Sequence, residues 1–441
     1  MSESTYYIET YGCQMNEHDS EKMSAMLEDM GLTRALSPNE AEVVVINTCA
    51  IREKAEHKVY SALGKLKASK KKKPDMVIIA AGCVAEQGRG ALLRKVGHLD
   101  AVLGTHRISQ LTSVIERVRK TRQPVDATGF AEDVASLHLP APCRGPSPAC
   151  SYVTVMQGCS NFCSYCVVPY TRGPEQSRPA GEILHEVRAI TERGVKEITL
   201  LGQNVNAYGK DLGDGTAFPA LLEDLNGIPA LSRVRFTTSH PRDFGPEIAA
   251  AMGMLDSVCE HIHLPLQSGS DRILHAMRRG YGRDDYLRKI AILRDTVPRV
   301  AITADIIVGF PGETTEDFEQ TVSALEEIRF DQIFSFKFSP RPGTSACHLP
   351  DQVPDEIKVA RLAKVHAVQD RITEQYHRNA EGTEEEILIE GVRERSGQPF
   401  GRTRTNKMVN LDSADAVRQG DLVRVEIIRG LKHSLLGKKR G

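Results

Sequence analysis

With 441 residues, a net charge of -1 and 26% charged side chains, the chain is long enough for about three domains and offers no global charge to recruit nucleic acid, so any such contact must come from a local patch. Tryptophan is absent and aromatics reach only 5%, which leaves few platforms for base stacking. Neither a secretory leader nor an apolar run long enough to cross a bilayer is visible, and ten cysteines in such a chain point to a reducing cytoplasm, where clustered cysteines are more often metal ligands or catalysts than disulfides.

The N-terminal third repeats one pattern. TYYIETYGC reads as a strand ending at Cys13, followed by a helical run from about 16 to 30. AEVVVINTC is an apolar strand ending at Cys49, and the helix after it carries Ala50, Ala55, Val59, Ala62, Leu63 and Leu66 at helical spacing. DMVIIAAGC is a strand ending at Cys83, again with a helix behind it; LDAVLGT leads to a helix near 107–120 without a cysteine. Such alternation predicts a mostly parallel sheet covered by helices, and these sheets bind ligands beyond the carboxyl ends of their strands. Cys13, Cys49 and Cys83 lie 36 and 34 positions apart yet occupy that one edge. A site of three thiolates is the expectation; three buried cysteines at ordinary turns is the competing reading. KLKASKKKKP (65–74) falls on the helix-to-strand connection and reads either as a solvated surface or as a phosphate-contacting patch.

Between 122 and 145 the texture changes to an interdomain linker: HLPAPCRGPSPAC carries four prolines and no periodicity. Cys143 and Cys150, in or just after it, receive no assignment. From 151 to about 348 alternation returns on a larger scale. Strands are expected at SYVTVMQ, VKEITLLGQ, RVRFTTS, HIHLPLQ, AITADIIVGF and QIFSFKFS, with helices at 180–193, 219–226, 246–254, 270–278, 284–296 and 314–327. Six βα units suggest a partial TIM-like barrel.

The loop after its first strand reads MQGCSNFCSYCVVPYTRG, with Cys159, Cys163 and Cys166 spaced C-x3-C-x2-C. Three thiolates without a fourth suit a four-iron cluster whose remaining iron is open to a small molecule. A zinc site completed from elsewhere, or buried unliganded cysteines, are the alternatives. The strand ends LGQN, TSHP, LPLQSGS and VGFPGET look specialised too, with Gly309 and Gly312 allowing close backbone approach. At the C-terminus EEEILIEGV, KMVNLD, LVRVEIIRG and LLGKK are short alternating strands of an all-β module. From 392 to 441 there are 12 lysines and arginines against 5 acidic residues, a local charge of +7. Arg402, Arg404, Lys407 and the terminal KKR are the expected phosphate contacts.

The barrel triplet, with Tyr165 just before its third cysteine, resembles the radical S-adenosylmethionine superfamily. Cys13, Cys49 and Cys83 ahead of that barrel, and a short β domain behind it, are similar to the methylthiotransferase layout over nearly the whole chain. The resemblance implies an α/β fold in parts: an N-terminal parallel α/β sheet domain (4–121), a linker (122–145), a partial TIM (βα)6 radical SAM core (146–376) and a small OB-like β-barrel, the TRAM RNA-binding domain (377–440). It implies two [4Fe-4S] clusters, one on Cys159, Cys163 and Cys166 and an auxiliary one on Cys13, Cys49 and Cys83. It also implies S-adenosyl-L-methionine near Tyr165, Gln203, Ser239 and Gly309, and no catalytic residue beyond the cluster ligands. Arg341 in SPRPGT is a further candidate for substrate or cluster contact, and Cys259 and Cys347 are left as structural.

The implied activity is methylthio transfer, in which one S-adenosylmethionine methylates the sulfur and a second yields a 5′-deoxyadenosyl radical that abstracts hydrogen from the acceptor carbon. YGCQMNEHDSEKM, NTCAIREKAEHKV, VVPYTRGPEQSRP, HLPLQSGS and IVGFPGETTEDF are most similar to members acting on carbon 2 of N6-dimethylallyladenosine at position 37 of tRNA. Relatives acting on threonylcarbamoyladenosine or on a ribosomal-protein aspartate, and a non-catalytic zinc-containing RNA-binding protein, are the alternatives. The expected partners are the tRNA anticodon loop with its target base splayed out, an electron donor such as flavodoxin or ferredoxin, and a sulfur source or iron–sulfur assembly proteins. No membrane partner is expected, and the protein is expected to be a monomer.

Overall fold

The computed structural model describes residues 4–50, 53–132, 134–139, 149–412 and 416–440. The N-terminal domain runs β1 (Thr5–Tyr11), α1 (Gln14–Asp29), β2 (Thr33–Arg34), β3 (Val43–Thr48), α2 (Glu53–Lys72), β4 (Val77–Gly82), α3 (Cys83–Lys95), β5 (Ala101–Leu103), α4 (Leu111–Thr121) and β6 (Val125–Ala127). Its strands pair in parallel in the order β2-β1-β3-β4-β5-β6. β3 and β4 are buried along their whole length, which is why VVVINT and VIIAAG carry hydrophobic side chains on both faces instead of alternating. One face packs Val43, Val45 and Ile79 against Met23, Leu27 and Ile115; the other packs Val44, Ile46 and Ile78 against Leu63, Leu66 and Leu92.

Two expectations need correction here. The 122–145 stretch is not all linker, because β6 adds a sixth strand beside β5; with a single buried side chain, Val125, it is too short to show a period. The proline-rich part, 140–148, lies outside the described residues. The lysine run is not a connection either: it continues α2 to Lys72, and Lys70 pairs with Asp100 at 2.8 Å.

The central domain continues with β7 (Cys150–Thr154), β8 (Met156–Gln157), α5 (Val168–Arg172), β9 (Gln176–Ser177), α6 (Ala180–Thr191), β10 (Glu197–Leu201), α7 (Phe218–Asn226), β11 (Arg233–Phe236), α8 (Pro246–Met254), β12 (His261–His263), α9 (Asp271–Ala276), α10 (Arg283–Thr296), β13 (Ala301–Val308), α11 (Thr315–Ile328), β14 (Gln332–Lys337) and α12 (Asp355–Asn379). β7, β10 and β11 pair in parallel, as do β12, β13 and β14, and a bridge from Val234 to Val258 joins the halves. The six expected βα units are present in chain order. Among the described residues β7 and β14 do not pair with each other, so this partial barrel is open along one side.

The outer strand faces hold the core: Val153, Ile198, Leu200, Val234, Ile302 and Ile306 pack under the helices. α12 has no counterpart in the sequence reading. Its Val365, Val368 and Ile372 join that core, and the helix carries the chain across the expected boundary at 376/377.

The C-terminal module comprises β15 (Glu384–Val392), β16 (Pro399–Thr403), β17 (Met408–Asn410), β18 (Leu422–Gly430) and β19 (Leu435–Lys439), closed in the order β15-β16-β17-β19-β18 around Ile387, Ile389, Val409, Val425, Ile427 and Leu435. Closure removes the free strand edges that so small a sheet would otherwise expose. Two buried arginines at the start of β11 hold it. Arg233 donates to the carbonyls of Arg402 (2.8 Å) and Glu386 (3.0 Å), and Arg235 to those of Arg404 (2.8 Å) and Thr403 (2.7 Å). The module therefore docks on the amino ends of the barrel strands.

That docking corrects a further expectation. Arg404 pairs with Glu260 at 2.8 Å, Lys407 with Asp331 at 2.8 Å and Arg402 with Glu390 at 3.1 Å. The first two bind the module to the barrel rather than standing free toward phosphate. Arg235 also pairs with Glu197 at 2.9 Å, each side chain 5% exposed. Replacing it by methionine (Arg235→Met) leaves the buried Glu197 carboxylate with only the longer Arg233 contact at 3.7 Å, removes the donors to two carbonyls of the module and is expected to cost about 3 kcal/mol. Arg404→Ala removes a more exposed pair and costs about 1 kcal/mol or less. Chemical denaturation measures both, and only Arg235→Met is expected to make the C-terminal module separately cleavable by protease.

Candidate active site

Strand register brings the first three cysteines together. Thr48 at the end of β3 stands opposite both Tyr11 of β1 and Gly82 of β4. The chain leaves all three neighbouring strands at one level, and Cys13, Cys49 and Cys83 follow within two residues. The turns leave no room for side chains. A Cβ on Gly12 would lie 2.7 Å from the Cys49 Cβ, and one on Gly82, whose φ is +87°, would lie 2.5 Å from Asn47 Oδ1. Below them, the Asn16 amide donates to Asn47 Oδ1 (3.0 Å) while the Asn47 amide donates to the Asn16 carbonyl (2.8 Å) and to Ser20 Oγ (2.9 Å). This buried lattice fixes α1 against β3 and so sets the position of Cys13.

A cation from the barrel completes this site. Arg172, at the end of α5, reaches across to Asp19 of α1 at 2.8 Å, while its second terminal nitrogen is buried without a partner among the described residues. Hydrogen bonding with Cys49, aided by Arg172, pulls the Cys13 thiol down to about 6. Burial pushes the Cys83 thiol up, against the pull of Arg172. Val167 packs on Ala50, Cys83 and Val84, so the segment right after Cys166 is the wall between the two cysteine groups.

The barrel triplet sits in the loop between β8 and β9, which pair antiparallel and pinch its ends together. Gly158, φ +84°, passes so close to Pro174 that a Cβ would lie 1.8 Å from its carbonyl oxygen. Gln203 Oε1 accepts the Gly158 amide at 2.5 Å, and the Cys159 amide donates to the Gly173 carbonyl at 3.1 Å. The buried Arg279 donates to Cys163 Sγ (3.3 Å), Tyr165 Oη (3.3 Å) and the Pro265 carbonyl (3.2 Å). His240 Nε2 lies 3.9 Å from the same sulfur. Its Nδ1 accepts the Arg242 amide at 3.1 Å, and burial together with Arg279 pulls its pKa down to about 2, so the neutral ring turns an Nε2–H toward Cys163. Burial raises Cys159 to about 11 and Cys166 to about 12; such thiols ionise when a metal takes the proton's place.

Around this loop the strand ends carry buried polar atoms without partners among the described residues: Gln157 Nε2, Asn204 Oδ1, both amide atoms of Asn206, Ser239 Oγ and Gln267 Oε1. A fold rarely leaves so many in one place unless a polar ligand belongs there. The expected cofactor contact Ser239 is among these unpartnered atoms, whereas Gln203 is used to hold the triplet loop. At Gly309, φ +71°, a Cβ would meet Lys358 Cγ of α12 at 2.3 Å, so close packing of α12 is what requires that glycine. Pro342, beside Arg341, accepts from Gln87 Nε2 of α3 at 3.2 Å, tying the SPRPGT loop to the helix that begins at Cys83. Arg172, Arg279, Asn206 and Gln267 were not singled out by sequence; LGQN and LPLQSGS were the only signals near the last two.

No group of three side chains among the described residues converges tightly enough for one metal ion. Ligands of a four-iron cube are spread wider than that, each thiolate on its own iron. The chemistry of both sites fits such a group: three sulfurs apiece, a cation or N–H donors to offset thiolate charge, and glycines where a Cβ would intrude, with one unpartnered Arg172 nitrogen beside the N-terminal site and a whole set of unpartnered amide and hydroxyl atoms beside the barrel site.

The barrel's inner face is polar where ordinary (βα)8 barrels are filled by branched apolar side chains. Thr199, Arg235, Thr237, His261, Thr303 and Phe334 line a cavity of about 1170 Å³ between β7 and β14, floored by Arg402, Asn406 and Lys407 of the C-terminal module.

Comparison with known proteins bears on the same regions. Residues 5–104 match the family described as uncharacterized protein family UPF0004, residues 153–325 the radical SAM superfamily and residues 378–439 the TRAM domain. Proteins named tRNA-2-methylthio-N(6)-dimethylallyladenosine synthase are similar end to end. The one from Syntrophus aciditrophicus is 45% identical, covering 98% of this chain and 94% of its own; that from Thermodesulfovibrio yellowstonii is 46% identical, covering 98% and 97%. Among solved structures, the radical S-adenosylmethionine methyltransferase TsrM from Kitasatospora setae superposes with a TM-score of 0.57 at 14% identity, over 79% of this chain and 77% of its own. The cobalamin-dependent S-adenosylmethionine radical enzyme OxsB gives 0.54 at 10%, over 83% and 56%. These two likenesses concern the fold alone.

Proposed function

The chain belongs to the radical S-adenosylmethionine methylthiotransferase family, with relatives 45% identical over 98–99% of its length, and on that premise we propose how its residues divide the work. It is a tRNA-modifying enzyme that transfers a methylthio group to carbon 2 of N6-dimethylallyladenosine, at position 37 of the anticodon loop. The observation that supports the reading, beside the relatives, is the segment after Cys166, which packs Val167 on Cys83 and sends Arg172 to Asp19 of the helix that follows Cys13.

The family uses S-adenosylmethionine and iron–sulfur chemistry, which supply the one-electron activation of an unreactive carbon and the sulfur placed there. In our reading Cys159, Cys163 and Cys166 hold one four-iron group and Cys13, Cys49 and Cys83 a second. Arg279 fixes Cys163 and Tyr165 together, Gln203 holds the loop at Gly158, and Asn206, Ser239 and Gln267 offer their unpaired polar atoms to the amino-acid and ribose groups of S-adenosylmethionine. Arg172 supplies the positive charge that a buried set of thiolates needs. The flanking apolar side chains, Val167 and Val84, keep water from the space between the two sites.

RNA would meet the module through basic side chains that the barrel does not engage. Arg395, Arg424, Arg429 and Lys438 are exposed and hold no ion pair among the described residues. Charge neutralisation at these four is expected to weaken tRNA binding at every ionic strength and to lower the salt slope by roughly one for each phosphate left without its cation. Binding measured from low to moderate salt checks this, and an unchanged slope would move the RNA elsewhere.

The division of labour is tested by two single variants. Cys13→Ala is expected to spare S-adenosylmethionine cleavage while abolishing methylthio product in tRNA nucleosides; Cys163→Ala is expected to abolish both. Equal loss of cleavage in the two variants would break the assignment.

A further inference from the structure

The edge strand β14 exposes Phe334 and Phe336, 43% and 39% accessible, in a chain poor in aromatics. Large apolar side chains exposed in alternation along one strand share one face. Phe334 lines the barrel cavity, so this face is the inner one. Register extends it: Asp305 stands beside Phe334 and Ile307 beside Phe336. Ile307 packs with the cluster of apolar residues that includes Tyr165, so the upper end of the aromatic face adjoins the cysteine loop. At its lower end the Asp305 carboxylate lies 3.5 Å from His263 Nε2, and the His263 ring meets Phe334 edge-on at 5.8 Å between centroids.

We propose that Phe334 and Phe336 seat the N6 substituent of the target adenosine and that Asp305 rejects substituents carrying a carboxylate. The inference rests on the reading above and deepens it. A dimethylallyl group is neutral and apolar, and Phe334 on the cavity wall with Phe336 two residues further along the same face buries it without leaving a polar group unpaired. A threonylcarbamoyl group, or an aspartate side chain, brings a negative charge to the same wall and meets Asp305. Discrimination of this kind combines an attractive surface with a repulsive one. At about 1170 Å³ the cavity is large enough to admit a whole nucleoside beside it, and β7 and β14, which do not pair, both line it.

The test uses full-length reconstituted protein and three anticodon stem-loop RNAs identical except at the target adenosine, which carries dimethylallyl, no substituent or threonylcarbamoyl. Binding is measured by fluorescence anisotropy at one ionic strength. Wild type is expected to bind the dimethylallyl RNA most tightly. The double variant Phe334→Ala, Phe336→Ala is expected to lose about tenfold for that RNA and far less for the unsubstituted one. Asp305→Asn is expected to gain about tenfold for the threonylcarbamoyl RNA relative to the dimethylallyl RNA. Wild-type discrimination that persists unaltered in both variants overturns the proposal and leaves the reaction standing. A wild type blind to the N6 group overturns the proposal together with the substrate reading beneath it.

Discussion

Arg172 is only 3% exposed, and its partner Asp19, 2.8 Å away and 7% exposed, comes from a different domain. Taking either charge out of water alone is costly by several kcal/mol, so each is tolerable only because the other is there. The pair therefore registers the N-terminal sheet against the barrel. α1 carries both Cys13 at its start and Asp19 a turn and a half later, while α5 carries Arg172 just beyond the barrel triplet. With the ion pair formed, the segment after Cys166 is held against the turn that carries Cys83. One nitrogen of the guanidinium is left over after Asp19 is satisfied, and it is positioned to serve the thiolates. An arginine with nothing but neutral protein around that nitrogen would be a poor design for stability alone.

A second constraint is the inverted polarity of the barrel. Apolar side chains are spent on the outer strand faces, under the helices, and the inner face is left with threonine, histidine, arginine and aspartate. That arrangement costs packing, and it yields a lumen instead of a core. The C-terminal module closes the lumen from the amino ends of the strands, gripping through Arg233 and Arg235, while the cysteine loop and the orphaned amides occupy the carboxyl ends. A target base in that lumen would thus lie between the docked module below and the cysteine loop above, with Phe334 along the wall.

Much of this was legible in the sequence because it is local. Strand-then-cysteine recurs three times, and parallel register converts that recurrence into proximity without further information. The six βα units announce themselves by period, and their helices lie close to the expected limits. What escaped was either too short or too distant. β6 buries a single side chain, and α12 mixes charged residues into its apolar stripe, so neither has a clear period. Arg172 finds Asp19 across 153 positions and Arg279 finds Cys163 across 116, separations at which no spacing rule operates. Arg404 and Lys407 were expected at phosphates because they are basic and terminal; composition cannot show that Glu260 and Asp331 wait for them on another domain.

The proposed division of labour requires two independent four-iron sites, one on each face of the Val167–Arg172 segment. Iron and acid-labile sulfide should be counted on anaerobically reconstituted protein, beside variants with alanine at 13, 49 and 83 or at 159, 163 and 166. About eight irons per chain are expected, falling to about four in each variant. About four irons, lost only when 159, 163 and 166 are changed, would contradict that division. The N-terminal cysteines would then be structural, and the sulfur in the product would need another source.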